Sequence, residues 1–197
     1  MHEAFLLKKS AVVGGSGITI ASWGGGLSNS AGVTKTGNTY SFAGGSVVDY
    51  IRIPYSGTPS PVAENCQITI RFKVTTIGGT RLDLLSRYKQ GNDAPSWMIS
   101  VNANKAVEYV YDNLLATTSG SISGFGIEQV LVFKRVNGVY TITLNGTQIY
   151  SLNYPGTFSN TWDWVLGSYL NGAEQVIQGT YAFPCTWQLL ELTVIRI

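Results

Sequence analysis

The 197-residue sequence predicts an all-β fold, a sandwich or barrel of short antiparallel strands. Three observations carry this. The stretch from Val130 to Tyr150 holds two Asn-Gly pairs, Asn137-Gly138 and Asn145-Gly146, between apolar or alternating runs. Asn-Gly supplies the positive φ angles of a two-residue type I′ turn, whose twist matches the strands it joins, so three strands form a meander. Gln67–Val74 alternates cleanly, with Ile68, Ile70, Phe72 and Val74 against Gln67, Thr69, Arg71 and Lys73, the period of a half-buried strand. No window longer than a turn or two shows a helical period, while turn signals recur throughout.

The elements follow in order. Residues 1–38 are rich in Gly, Ser and Ala, and their glycines interrupt short β-prone pieces such as Ile18–Ser22. They are expected to form an extended arm ahead of a single domain over 39–197. Val47–Ile53 alternates until Pro54 ends it, and SGTPSP (56–61) is a loop. After the strand at Gln67–Val74, Gly78-Gly79 turns the chain into a strand over Arg81–Tyr88. Trp97–Val101 and Ala106–Tyr111 form a hairpin across Asn102–Lys105. TTSGSISGFG (117–126) reads as a loop leading into the meander. The first meander strand, Gln129–Val136, is apolar on both faces around Val130–Phe133; in the second, Tyr140, Ile142 and Leu144 share one face. A loop at 155–163, a short strand Trp164–Gly167 and a loop at 169–175 precede a last strand Trp187–Ile195, with Leu190, Leu192 and Val194 inward.

Composition narrows the function. At 44% hydrophobic the chain can bury a sizeable core, yet only 12% of residues are charged, about half the usual share, so the surface is polar and uncharged. With a net charge of +2 and no basic run, nucleic acid is excluded as a partner. The single histidine, His2, lies at the terminus, which excludes a His-based triad and a multi-histidine metal site inside the fold. Two cysteines, Cys66 and Cys185, do not make a disulfide framework. No segment approaches the roughly 20 apolar residues of a membrane helix, and the N-terminus is unlike a signal peptide because its lysines follow its short apolar run.

The ordered landmarks resemble the concanavalin A-like jelly roll, in its laminin G-like (LamG) version. They are FAGGSVVDYIRIP (42–54), QITIRFKV (67–74), LLSR (84–87), WMISV (97–101), GVYTITLNGTQI (138–149), WVLGSYLNG (164–172), and QGTYAF with the terminal strand (178–195). Tyr140, Asn145-Gly146, Val165-Leu166-Gly167 and Leu189 to Ile195 stand where the family has its motifs. The tryptophan usual before the meander is replaced by Ile127-Glu128-Gln129, and Phe72 stands where Trp is common. The resemblance spans roughly residues 40–197 and implies an antiparallel two-sheet sandwich with the first and last long strands side by side. That pairing would hold Cys66 and Cys185 about 27 Å apart, beyond disulfide reach.

Catalysis finds little support in the residues. The E-x-D-x-E strand of glycosidases of this fold class is absent; Asp83, Glu108 and Asp112 are scattered, though Glu108 could face Asp83 from another strand. Calcium at Gly91-Asn92-Asp93 or Asp112-Asn113 competes with ordinary turn chemistry, so no cofactor is expected. Glycan binding needs only an aromatic platform with hydrogen-bonding neighbours. Trp97, Trp164 and Trp187 read as core, whereas Trp162 lies in a Ser/Asn/Thr loop with Asp163, and Tyr169 and Asn171 follow in the next loop. Trp162, Asp163, Tyr169 and Asn171 are the expected ligand-binding residues. The overall expectation is a non-enzymatic binding or structural module of a bacteriophage virion (tail, fibre or head surface). The arm would contact neighbouring virion subunits, the module would self-associate, and the sandwich would touch a host glycan. The alternatives are a secreted or cell-surface lectin-like domain and, ranked third, a polysaccharide-cleaving enzyme.

Overall fold

The computed structural model describes residues 18–19, 28–44, 48–54, 65–87, 97–111, 114–154, 163–169 and 184–197. Among them every regular element is a strand, in chain order β1 (Ile18–Thr19), β2 (Ser28–Asn29), β3 (Val33–Thr36), β4 (Thr39–Phe42), β5 (Ile51–Ile53), β6 (Cys66–Ile77), β7 (Arg81–Arg87), β8 (Trp97–Asn102), β9 (Ala106–Tyr111), β10 (Leu114–Ser121), β11 (Glu128–Val136), β12 (Val139–Leu144), β13 (Thr147–Asn153), β14 (Trp164–Leu166) and β15 (Cys185–Arg196). Among the described residues no helix is long and apolar enough to cross a membrane.

The strands form two antiparallel sheets packed face to face. The meander sheet runs β13-β12-β11-β6-β15-β4-β3, with β1 also on β15; the second sheet runs β10-β9-β8-β7-β14-β5-β2. In the meander sheet, the alternation of Ile68, Ile70, Phe72 and Val74 with polar residues places the four apolar side chains in the core, as expected. Tyr140, Ile142 and Leu144 are buried on the same side. Both Asn-Gly turns have positive φ at each central residue, 50° and 80° at Asn137-Gly138 and 50° and 84° at Asn145-Gly146, as a type I′ turn requires. Asn145 also accepts from the Val130 amide and donates to Gln129, so its side chain ties the turn to β11.

Aromatic rings join the layers. Trp97 of β8 stacks on Phe133 of β11 with centroids 5.4 Å apart and meets Trp164 edge-on at 5.7 Å. Phe42 and Trp187, cross-strand partners on β4 and β15, stack at 4.0 Å. Trp97, Trp164 and Trp187 are core residues, as the sequence indicates.

Strands β6 and β15 lie side by side and antiparallel, which puts Cys66 opposite Arg196 and Cys185 opposite Ile77, at opposite ends of the ladder. Neither cysteine forms a disulfide, and both are buried. The segment read as an arm supplies β1 and β3 to the meander sheet and β2 to the second sheet. Asp49 fastens this lead-in: its buried carboxylate accepts from the Ser30 hydroxyl (2.8 Å) and the Gly44 amide (2.9 Å). A side chain at Gly32 would press into that carboxylate.

The structure corrects three details. The expected loop at 117–126 is a strand as far as Ser121, β10, paired with β9. Its small residues have a packing cause: a Cβ at Gly120 would lie 2.4 Å from the Ile149 side chain, so only glycine lets that part of β10 approach β13. On β15 the inward residues are Trp187, Leu189, Leu192 and Val194, with Leu190 only half-buried. A bulge leaves Leu190 without a partner between the pairs Leu189–Phe72 and Glu191–Arg71 and resets the alternation. On β11 only one face is fully buried; Val130 and Val132 are half-buried on the other. Val47 lies outside the described residues.

Candidate functional site on the outer face of the second sheet

The outer face of the second sheet is unusual because it is covered. Every residue from Leu82 to Arg87, from Trp97 to Val101 and from Trp164 to Leu166 is buried, with no exposed side to the alternation. Strand register sorts the outward side chains into rows. One row is chiefly apolar: Arg52, Val165, Ser86, Met98 and Val110, each opposite the next. Tyr169 packs there with Val48, Met98 and Val110 in a small hydrophobic cluster of its own. At the end of the row Arg52 donates to Asp163 at 2.6 Å, and Ser86 donates to the Ser168 carbonyl at 2.8 Å.

The neighbouring row is polar. Asp83 stands opposite Ser100, Ser100 opposite Glu108, and Glu108 opposite Thr117. Arg81 and Asn102 form the next pair along β7 and β8. The Asn102 amide donates to Glu108 at 2.8 Å and its carbonyl oxygen accepts from the Ala106 amide at 3.0 Å, so the hairpin turn that fixes Asn102 also aims Glu108. Arg81 Nε lies 2.9 Å from Asp83 Oδ1; the contact is an ion pair that lacks hydrogen-bond alignment. The Arg81 guanidinium also sits over the Tyr169 ring, 5.7 Å from its centroid.

Burial sets the electrostatics. Asp83 is 3% exposed and Ser100 is 0% exposed. Desolvation pushes the Asp83 carboxyl up to about 6 from 3.8; Arg81 opposes this shift and the Glu108 charge adds to it. The Ser100 hydroxyl, between two carboxylates, has no hydrogen-bond partner among the described residues. Such a group is uncommon in a folded protein, because an unmade buried hydrogen bond costs about 1–3 kcal/mol.

Of the four residues expected to bind ligand, Trp162 and Asn171 lie outside the described residues. Asp163 and Tyr169 both reach this outer face but at separate places: Asp163 in its ion pair with Arg52, Tyr169 buried at 3% exposure beneath Arg81. Sequence reasoning did not find Arg81, Ser100 and Asn102, and it named Asp83 and Glu108 only as a pair that could face each other. The structure puts those two in one row with Ser100 between them. A register could have shown this, but β7 carries a bulge between Asp83 and Leu85 that shifts it. The calcium candidates Asn92, Asp93, Asp112 and Asn113 lie outside the described residues, and among the described residues no three metal-ligating side chains gather.

No family model matches the chain, and no curated protein matches it. Solved structures do. A mutant of Trypanosoma rangeli sialidase displaying trans-sialidase activity has a TM-score of 0.64 at 12% identity, over 87% of this chain and 27% of that one. The botulinum neurotoxin serotype D binding domain has a TM-score of 0.62 at 10% identity, over 90% and 44%. The CBM40 of Ruminococcus gnavus IT-sialidase, bound to alpha2,3 sialyllactose, has a TM-score of 0.52 at 16% identity, over 68% and 76%. The chain thus spans about a quarter of the sialidase and under half of the toxin domain's chain. At these identities the likeness shows a shared antiparallel β-sandwich fold.

Proposed function

We propose that this chain is a non-catalytic β-sandwich module that binds a glycan on the outer face of its second sheet. The observation that carries the reading is the convergence there of Arg81, Asp83, Ser100, Asn102 and Glu108 beside Tyr169. Glycan sites combine a few convergent polar groups with an aromatic or apolar wall. The CBM40 likeness supports the reading, since its printed ligand is a sialylated sugar. A non-catalytic role is supported by the state of Asp83, whose carboxyl is held in an ion pair by Arg81. It is therefore badly placed to protonate a glycosidic oxygen.

The LamG-type version of the sandwich is supported by the order of the sequence landmarks and the β6–β15 pairing. Display on a virus particle as a self-associating subunit is supported by a surface poor in charge, with 12% charged residues overall, and by lead-in strands that reach both sheets. The test is a glycan array with the full chain, followed by a reducing-sugar assay on every glycan bound. Binding without turnover is expected; measurable turnover overturns the non-catalytic reading. Light scattering showing a monomer at all concentrations overturns self-association.

A further inference from the structure

We propose that the row Asp83–Ser100–Glu108 is the anchor of the site, a clamp for an uncharged polyhydroxyl ligand such as the edge of a neutral hexose, and that it disfavours carboxylated sugars. The inference rests on the glycan reading above and names its residues and ligand class.

Geometry comes first. Three adjacent strands place these residues opposite one another, with neighbouring strands about 4.8 Å apart, so Asp83 and Glu108 flank Ser100 across roughly 10 Å between their Cα atoms. Serine is the shortest side chain of the three, which makes the row a notch with a hydroxyl floor. That floor is buried and lacks a partner, whereas both walls are hydrogen-bond acceptors when ionised. A sugar hydroxyl satisfies such a set because it donates and accepts at once: it can donate to Glu108 while accepting from Ser100. The long side chains Arg81 and Glu108 border the floor and, unlike Ser100, both reach solvent, so a ligand meets them first. Asn102, two residues along β8 from Ser100, holds Glu108, and on the far side Thr117 continues the row with one more hydroxyl.

Charge then selects the ligand. Among the described residues, the row and its flank hold two carboxylates, Asp83 and Glu108, against one guanidinium, Arg81. The Arg52–Asp163 pair further along the face balances itself. Arg81 is already committed to Asp83 and lies over Tyr169. A ligand carboxylate would meet a net negative site and leave a buried anion poorly paired, whereas hydroxyls carry no such cost.

The test uses an array of neutral-hexose-terminated and carboxylate-terminated glycans, including alpha2,3 sialyllactose, against the full chain and the variants Ser100→Val, Glu108→Gln and Arg71→Gln. Neutral glycans are expected to bind the unaltered chain. Ser100→Val and Glu108→Gln should each weaken that binding about tenfold or more, with the melting temperature within a few degrees of the parent. Arg71→Gln, on the opposite sheet, should leave binding unchanged. Glu108→Gln keeps an acceptor for Asn102, so it separates lost binding from lost folding. Neutral binding retained within about twofold in both row variants overturns the site while leaving the glycan reading intact. A preference for carboxylated glycans overturns the ligand class. Silence across the whole array sinks the glycan reading and the clamp with it.

Discussion

The two sheets bury their faces in different ways. In β6 of the meander sheet, buried and half-buried residues alternate from Cys66 to Val74. In β8 of the second sheet, five successive residues from Trp97 to Val101 are all buried. A sheet with one wet face can carry charge there cheaply, and the meander sheet does so with Arg71, Glu128 and Glu191. A sheet covered on both faces pays desolvation for every polar group it keeps. The second sheet nonetheless keeps Asp83, Ser86, Arg87 and Ser100. The contrast teaches where to look: polar groups that are costly to bury single out a candidate face.

The largest expected effect breaks what the sheets share. Trp97 lies between them, stacked on Phe133 of the meander sheet and edge-on to Trp164 of its own. Trp97→Ala removes a fully buried ring and should cost about 3–5 kcal/mol in unfolding free energy, read as a lower urea midpoint at unchanged slope. A cost below about 1 kcal/mol would mean that the aromatic stack does not join the layers.

The next prediction separates the faces by pH. Asp83 titrates near 6 in the folded chain against an ordinary value of 3.8, chiefly through burial. Between these values the folded state binds the proton more tightly than the unfolded state does, so stability falls as pH rises from about 4 to 6 and then levels off. The shift corresponds to roughly 2–3 kcal/mol. Asp83→Asn should remove this slope, so the stability difference between variant and parent should change by about that amount from pH 4 to pH 7. A difference that stays constant over the range would show that Asp83 is solvated.

The same contrast explains what the sequence revealed. The meander was legible because Asn-Gly turns and period-two alternation are local signals, and the four positive φ angles at Asn137, Gly138, Asn145 and Gly146 bear them out. Strand β6 was legible for the same reason. Strand β10 was not, because Gly120 answers to Ile149 of β13, a partner distant in sequence. The inward set of β15 shifted at Leu190 because a bulge leaves no trace in an alternating pattern. Tyr169 and Asp163 were found from loop composition, and both reach the outer face. The row of Asp83, Ser100 and Glu108 depends on the pairing of three strands and on the bulge beside Leu84, so it became visible only with the sheet assembled.

The smallest expected effect sharpens the comparison most directly, because it sets like chemistry in unlike surroundings. Each sheet has an arginine paired with a carboxylate on its outer face. Arg71 meets Glu128 with side chains 43% and 46% exposed, and its guanidinium is held more firmly protonated chiefly by the hydrogen bond to Glu128. Arg81 meets Asp83 with side chains 24% and 3% exposed. Water screens the first pair, so a double-mutant cycle on Arg71 and Glu128 should give no more than about 1 kcal/mol, fading as salt rises from 0.01 to 1 M on the order of a shrinking Debye length. The cycle on Arg81 and Asp83 should give a larger coupling that salt hardly changes, because removing Arg81 alone strands a carboxylate in a closed face. If the exposed pair couples as strongly as the buried one, the outer face of the second sheet is as wet as that of the meander sheet. Neither the raised Asp83 titration nor the cost of the unpaired Ser100 hydroxyl could then stand.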